Sequence, residues 1–298
     1  MTRRLATWRL NILLLSVITL SGCGKVSNTS SPIFFEFKQQ PGDKYIYKIK
    51  DEVYWNVQYP DGKVYTWKHL QEQKSVMKFV SVDSNAVRQV HLIFIVTVDT
   101  TLSEGELPWK RHRHPKDYRF EYQLQMRPNG EIVSVESPDP SSTFFYNWGY
   151  RPSQPVFPVE AIAPNYTWTT KFQVNVPKGA PALITSHYRF RDYARIGDFE
   201  CAAIEFQGEL KYTEIMDSPT LREYHCQTFS QGELYFAYRE GFVVKKVNLI
   251  TSFANTGVTK GDKLEIQSRT EMRDHETIML ADIYRSSGEK ITYDIKQK

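Results

Sequence analysis

Two histidines at alternate positions, His112 and His114, have a spacing that suits metal coordination. In an extended chain both imidazoles project from one face, which is how a zinc site can begin. Zinc needs at least one further protein ligand, and no spacing indicates one. Because Arg111 and Arg113 would repel a cation, we predict a basic, solvated loop over residues 109–116 and no metal site. The same loop suits a lipid head group or an acidic partner.

Motifs for hydrolytic or phosphoryl-transfer chemistry are missing from the sequence. It contains no Gly-x-Ser-x-Gly elbow, no His-Glu-x-x-His and no glycine-rich phosphate loop. His91, His187 and His225 fall inside predicted strands, where we expect packed or hydrogen-bonded rings. We therefore predict a protein without catalytic residues or cofactor.

The amino-terminal segment carries the pattern of an export signal. Three arginines lie within residues 1–9, an apolar stretch spans residues 10–20, and residues 20–23 read Leu-Ser-Gly-Cys. The apolar stretch is shorter than the ~20 residues that a membrane-spanning helix needs. The segment resembles the signal of bacterial lipoproteins that are cut by the lipoprotein signal peptidase.

That resemblance implies cleavage before Cys23, acylation of its sulfur and a membrane anchor made of lipid alone. Residues 23–32 would form a flexible tether. Gly24 follows the cysteine, an arrangement that resembles sorting to the periplasmic face of the outer membrane. In a source with one membrane, the same anchor would place the protein on the cell exterior.

Export would leave Cys201 and Cys226 as an even pair in an oxidising compartment. We predict a disulfide between them, which would stabilise the fold by roughly 3–4 kcal/mol in the loop-entropy model. The alternative is two buried, unpaired thiols.

Composition excludes some partners. Without residues 1–22, which hold three arginines and no acid, 35 basic and 34 acidic side chains remain. A net charge near zero gives no support for binding nucleic acid. The aromatic content of 14% favours strands over helices.

Alternation of apolar and polar residues predicts an all-β, mainly antiparallel fold. From Tyr45 to Tyr59 nearly every odd position is apolar, and the same period returns from Tyr118 to Met126 before an Asn-Gly turn at residues 129–130. Residues 87–98 are apolar on both faces, as in a central strand. Short helices are expected only near residues 141–148 or 159–163.

Turn spacing indicates an internal duplication. Asn85 and Gly197 lie 112 positions apart, and Asn129 and Glu240 lie 111 apart, in turns that separate similar strands. We predict a first β unit over residues 33–140, a connection over 141–164 and a second unit over 165–298 with a closing strand at 264–272. The units would form one strongly bent sheet or two packed half-barrels.

Five aromatic residues could line the concave face of such a sheet: Trp55, Trp67, Phe94, Trp168 and Phe236. That shape resembles the incomplete barrels of the lipoprotein-localisation factors, whose hollow receives acyl chains, although no motif specific to them is present. The alternative is a filled core.

These features leave three functional hypotheses. The first is an exported lipoprotein with a non-enzymatic structural or binding role, with an envelope protein as one kind of partner. The second is a carrier of a hydrophobic ligand, which predicts an apolar cavity. The third is a cell-envelope hydrolase, which predicts a histidine within hydrogen-bond reach of a serine or an aspartate in a cleft.

Overall fold

The computed structural model describes residues 31–103, 119–136, 155–174, 181–216, 222–260 and 263–293. Cys23, the basic loop at residues 109–116 and the candidate helix at 141–148 lie outside these ranges. The described strands are β1 (Lys44–Gln58), β2 (Val64–Val82), β3 (Arg88–Ser103), β4 (Arg119–Met126), β5 (Ile132–Glu136), β6 (Thr167–Val174), β7 (Ala182–Ile196), β8 (Phe199–Met216), β9 (Arg222–Ala237), β10 (Phe242–Lys260), β11 (Lys263–Tyr284) and β12 (Lys290–Thr292).

All of these strands belong to one antiparallel sheet, which confirms the predicted fold class. Its order is β5-β4-β3-β2-β1-β11-β10-β9-β8-β7-β6, with β12 paired to β11. Each half of the chain is an up-and-down meander, and β11, the predicted closing strand, joins them by pairing with both β1 and β10. No helix occurs in the described residues, so the short helix expected near 159–163 is not formed. The duplication itself stays a prediction.

Residues 33–43, the segment that precedes β1, contact parts of the sheet that are far apart in strand order. The backbone N–H of Phe37 donates to the Pro128 carbonyl at 2.7 Å, and that of Lys38 donates to the Gly241 carbonyl at 3.4 Å. Pro128 follows β4 and Gly241 precedes β10, which are five strand spacings apart, about 24 Å in a flat sheet. Because adjacent residues reach both turns, the sheet must be strongly bent.

Aromatic rings from this segment form the centre of the core. Phe35 is only 1% exposed and packs against Phe157, Phe190 and Phe236 at centroid distances of 5.2, 5.3 and 5.9 Å. Its neighbour Phe34 points away from the core and is 59% exposed. The segment therefore fills the interior of the bend with one face.

Two glycine turns make room for the segment. Gly130 and Gly241 have φ values of +89° and +82°, which residues other than glycine rarely adopt. A Cβ on Gly130 would lie 2.6 Å from Cε2 of Phe37, and one on Gly241 would lie 2.5 Å from the Glu36 carbonyl oxygen. Both turns were predicted from sequence at equivalent positions of the two halves, and here they contact the same segment.

A band of buried polar side chains crosses the strands next to the core. Lys246 Nζ lies 3.3 Å from Oε1 of Glu276, which is fully buried. Asn248 donates to the same oxygen at 3.3 Å and accepts from Ser230 Oγ at 2.8 Å. These partners compensate for the loss of water around a buried carboxylate.

The predicted disulfide is not formed, and both Cys201 and Cys226 are buried. Cys226 pairs with Tyr212 in the β8–β9 ladder, whereas Cys201 pairs with Ala237. Cys201 and Tyr212 stand eleven residues apart on β8, about 36 Å along the strand. A disulfide needs Cα atoms within about 7 Å, so the continuous pairing of β8 with β9 rules it out.

Candidate ligand-binding groove

The five aromatic residues predicted to share a ligand surface do not do so. Trp55 and Trp67 are opposite each other on β1 and β2 and stack at 5.6 Å with planes 6° apart. Phe94 and Phe236 are buried in the core. Trp168 stacks on Tyr188 and donates its Nε1–H to the Val156 carbonyl at 2.8 Å. Of the five, Trp55 and Trp67 belong to the strand segments that border an open space.

That open space is a groove of about 750 Å³ across the middle of the sheet. It lies over β3, β2, β1, β11 and β10, which are consecutive neighbours. Its volume falls within the range of about 300–1,000 Å³ that is usual for ligand pockets. The lining residues are Glu52, Tyr54, Trp55, Asn56, Thr66, Trp67, Lys68, Leu102, Ser103, Leu249, Glu271, Arg273, Asp274 and His275.

Apolar groups on the outward face of the sheet form much of this groove. Tyr54 is 48% exposed, and Leu102 and Leu249 are exposed beside it. Lys68 places its ammonium 5.0 Å from the centroid of the Tyr54 ring. The aromatic and aliphatic surface is therefore available to a ligand from solvent.

Charged groups in the groove are paired with one another. Lys68 Nζ donates to Glu52 Oε2 at 2.7 Å, and this hydrogen bond lowers the pKa of Glu52 and raises the pKa of Lys68. Arg273 Nη2 lies 2.7 Å from Glu271 Oε1. The two cations thus carry their own counter-charges, and the cations keep further donors and the carboxylates keep further acceptors at the rim.

Sequence reasoning found the tryptophans but missed Tyr54, Leu102 and Leu249. Their signal is that an apolar residue stands on the polar face of its strand: Tyr54 lies between Glu52 and Asn56, all at even positions. One exposed apolar residue is ordinary. The functional significance of these residues appears only in the fold, where β3, β1 and β10 place several exposed apolar side chains around one groove.

Several histidines pair with threonines on neighbouring strands. Nδ1 of His69 lies 2.9 Å from Thr101 Oγ1, and Nε2 lies 3.5 Å from Asp99 Oδ1. Nδ1–threonine contacts of the same kind occur at His187 with Thr169 (2.8 Å) and at His225 with Thr213 (3.0 Å). The prediction that His91, His187 and His225 are hydrogen-bonded strand residues is confirmed.

The repetition of this pair on three different strand ladders indicates cross-strand pairing rather than one reactive centre. A hydroxyl, an imidazole and a carboxylate also come together at His69, but His69, Thr101 and Asp99 are not among the residues that line the groove. Within the described part of the chain, no group of three or more His, Cys, Asp or Glu side chains is arranged to hold a metal ion.

Comparison with known proteins places the chain in no family. No family model matches it, and no curated protein is significantly similar to it. Across the described ranges, the structure also contains no helix of the length and apolar character needed to cross a bilayer.

Proposed function

We propose that this chain is an exported, lipid-anchored protein with a non-enzymatic binding role, and that its ligand occupies the groove over β3, β2, β1, β11 and β10. The observation that carries the binding role is the 750 Å³ groove with exposed aromatic and aliphatic groups. Its polar rim would orient a ligand, because a few placed donors and acceptors among apolar groups are typical of binding sites.

The anchor is supported by residues 20–23 and by the path of the chain after them. The Tyr193 hydroxyl donates to the Ser31 carbonyl at 3.2 Å, and Ile33 pairs with Ile162. Lys44, at the start of β1, and Trp55 are eleven residues apart, which is about 36 Å along the strand. The tether would therefore join the body at the core end of the sheet, well separated from the groove.

A carrier of a hydrophobic ligand is the second candidate function. Tyr54, Leu102 and Leu249 favour it because they offer exposed apolar surface in one groove. Against it, Phe94 and Phe236 belong to a filled core, so the apolar surface is limited to the groove.

The anchor is tested by replacing Cys23 with alanine and by following radiolabelled palmitate and membrane fractionation. We expect the variant to lose the label and the membrane association, because its sulfur is the acylated atom. Cys201→Ala is the matched control and should keep both. If Cys23→Ala is labelled and fractionates like the parent, the anchor is disproved.

The binding role is tested by native mass spectrometry of the Cys23→Ala form, which should lack the anchor and can then be purified from its own cells without detergent; it serves as the parent for the further substitutions. A bound species in the parent that is lost in Tyr54→Ala, but kept in Tyr166→Ala, would place the ligand in the groove. Tyr166 is a matched control because it is a comparably exposed tyrosine outside the groove. A species retained by Tyr54→Ala would remove the groove as the binding site.

A further inference from the structure

We infer that the folded body itself contacts the lipid bilayer, and that Phe34 and Val159 enter the head-group layer beside the point where the tether joins the body. This inference rests on the proposed lipid anchor and adds to it a second, protein-made contact with the same membrane. It follows from the exposure of these two side chains, from their position and from the reach of the tether.

The first observation is that the fold leaves two apolar side chains in water at one place. In the described part of the chain, Val159 and Phe34 are the most exposed large apolar residues, at 82% and 59%. Single exposed apolar residues are ordinary. These two flank one backbone bridge, in which Ile33 and Ile162 exchange two hydrogen bonds of 2.9 Å. Phe34 directly follows Ile33, and Val159 precedes Ile162 by three residues.

An exposed tyrosine extends the same surface. The Tyr166 hydroxyl donates to Oε1 of Glu160, the residue after Val159, at 2.6 Å. Tyr166 is 38% exposed. Tyrosine is enriched where a bilayer meets water, because its ring is apolar and its hydroxyl is polar. The surface around the bridge therefore offers aliphatic, aromatic and hydrogen-bonding groups together, which suits the head-group layer.

The tether brings this surface to the membrane. Cys23 and Ser31 are eight residues apart, a separation of at most about 29 Å in a fully extended chain. The Tyr193 hydroxyl donates to the Ser31 carbonyl at 3.2 Å, and Phe34 lies only three residues further along. A lipid on Cys23 would keep this end of the body close to the bilayer. The contact is then intramolecular in effect, so it can form even where it would be too weak for an untethered protein.

Neighbouring charges limit the depth of the contact. Glu36 and Glu160 are exposed close to the two apolar side chains. A carboxylate in the hydrocarbon core is costly, whereas one among the head groups keeps its water. We therefore place Phe34 and Val159 at the level of the head groups, with the rest of the body outside the bilayer.

The experiment uses the full-length, lipidated protein in vesicles of phosphatidylcholine. Phe34→Cys and Val159→Cys are labelled separately with nitrobenzoxadiazole, a fluorophore whose emission shifts to the blue when it leaves water. Leu183→Cys is the matched control, because Leu183 is 52% exposed and lies ten residues from Tyr193 on β7, about 33 Å away. The unsubstituted protein, treated in the same way, gives the background from its buried thiols. We expect a blue shift, and quenching by lipids with a nitroxide at the head group, at positions 34 and 159 but not at 183.

A second measurement tests whether the two side chains cause the contact. A label on Tyr166→Cys should lose its blue shift when Phe34→Ser and Val159→Ser are added, because the apolar groups that hold the surface in the lipid are gone. Addition of Leu183→Ser should leave that shift unchanged. Unfolding curves of these variants show whether the protein remains folded. A shift at position 166 that persists in the folded Phe34→Ser/Val159→Ser form overturns the inference.

Flotation of the vesicles separates this inference from the anchor on which it rests. If the protein floats with the vesicles but positions 34 and 159 show no shift, or position 183 shifts equally, the contact is refuted and the anchor stands. If the lipidated protein does not float, the anchor and the contact are refuted together.

Discussion

Replacing Phe35 with alanine should remove a large part of the stability of this protein. The ring is 1% exposed and lies within 6 Å of the ring centroids of Phe157, Phe190 and Phe236. Truncation of a fully buried phenylalanine costs about 3–5 kcal/mol, because transfer free energy is lost and a cavity remains. The upper part of that range is expected here, since the surrounding rings are held by different strands and segments, which limits how far they can move into the cavity.

The assay is urea unfolding followed by tryptophan fluorescence, with Phe34→Ala as the control. Phe34 is 59% exposed, so its truncation should change the free energy of unfolding by less than about 0.5 kcal/mol. With an m-value of about 3 kcal/mol/M, a loss of about 4–5 kcal/mol in Phe35→Ala should lower the midpoint by about 1.3–1.7 M. If both variants unfold at the same urea concentration, residues 33–43 do not form the core that holds the sheet in its bend.

Three further predictions concern the thiols, the buried ion pair and alkaline pH. Cys201 and Cys226 should both be alkylated by iodoacetamide in denaturant without a reductant, and a mass that shows them blocked would contradict the absence of a disulfide between them. Lys246→Met should lower the free energy of unfolding by about 3–5 kcal/mol because it removes the cation beside the buried Glu276 carboxylate. The double variant Lys246→Met/Glu276→Leu should recover much of that loss, and equal stability of the two variants would refute the reasoning. Burial raises the pKa of Tyr188 to about 12. The unfolded chain loses this proton near pH 10 while the folded chain keeps it, so stability should fall as the pH rises from about 10 to about 12. Urea midpoints and tyrosinate absorbance measured across this range check that prediction, and a midpoint independent of pH would contradict it.

The strands were readable because alternation is a local property. Tyr45, Tyr47 and Ile49 are buried at alternate positions of β1, as their spacing predicted. Turns with a glycine at positive φ, such as Gly130, were readable for the same reason, since their chemistry involves a few adjacent residues.

The disulfide could not be judged in this way. Counting cysteines and assuming export made the pair Cys201–Cys226 plausible, but the separation of the two thiols depends on the register of β8 and β9. Loop length says how much a bridge would stabilise, whereas strand register says whether the bridge can form. In the ladder of sixteen residue pairs, the pair that contains Cys226 lies eleven pairs beyond the one that contains Cys201.

The groove was readable only in part. Trp55 and Trp67 were recognised as candidates, but Phe94 and Phe236 were grouped with them because aromatic residues in strands look alike in a sequence. Tyr54 and Leu249 were overlooked because each is a single exposed apolar residue on its own strand. Which of these side chains share a surface is decided by β11, which inserts between β1 and β10 and brings the two halves side by side.

The sequence by itself determined the strand positions, the tight turns and the face of each strand that is buried. The reason is that period-two patterning and turn chemistry act between near neighbours in the chain. The tertiary structure alone decided that Phe35 lies among Phe157, Phe190 and Phe236, that the thiols stay apart, and that a groove forms across five strands. The physical reason is that these features depend on strand register and on the bend of the whole sheet, which are set by contacts between residues far apart in the chain.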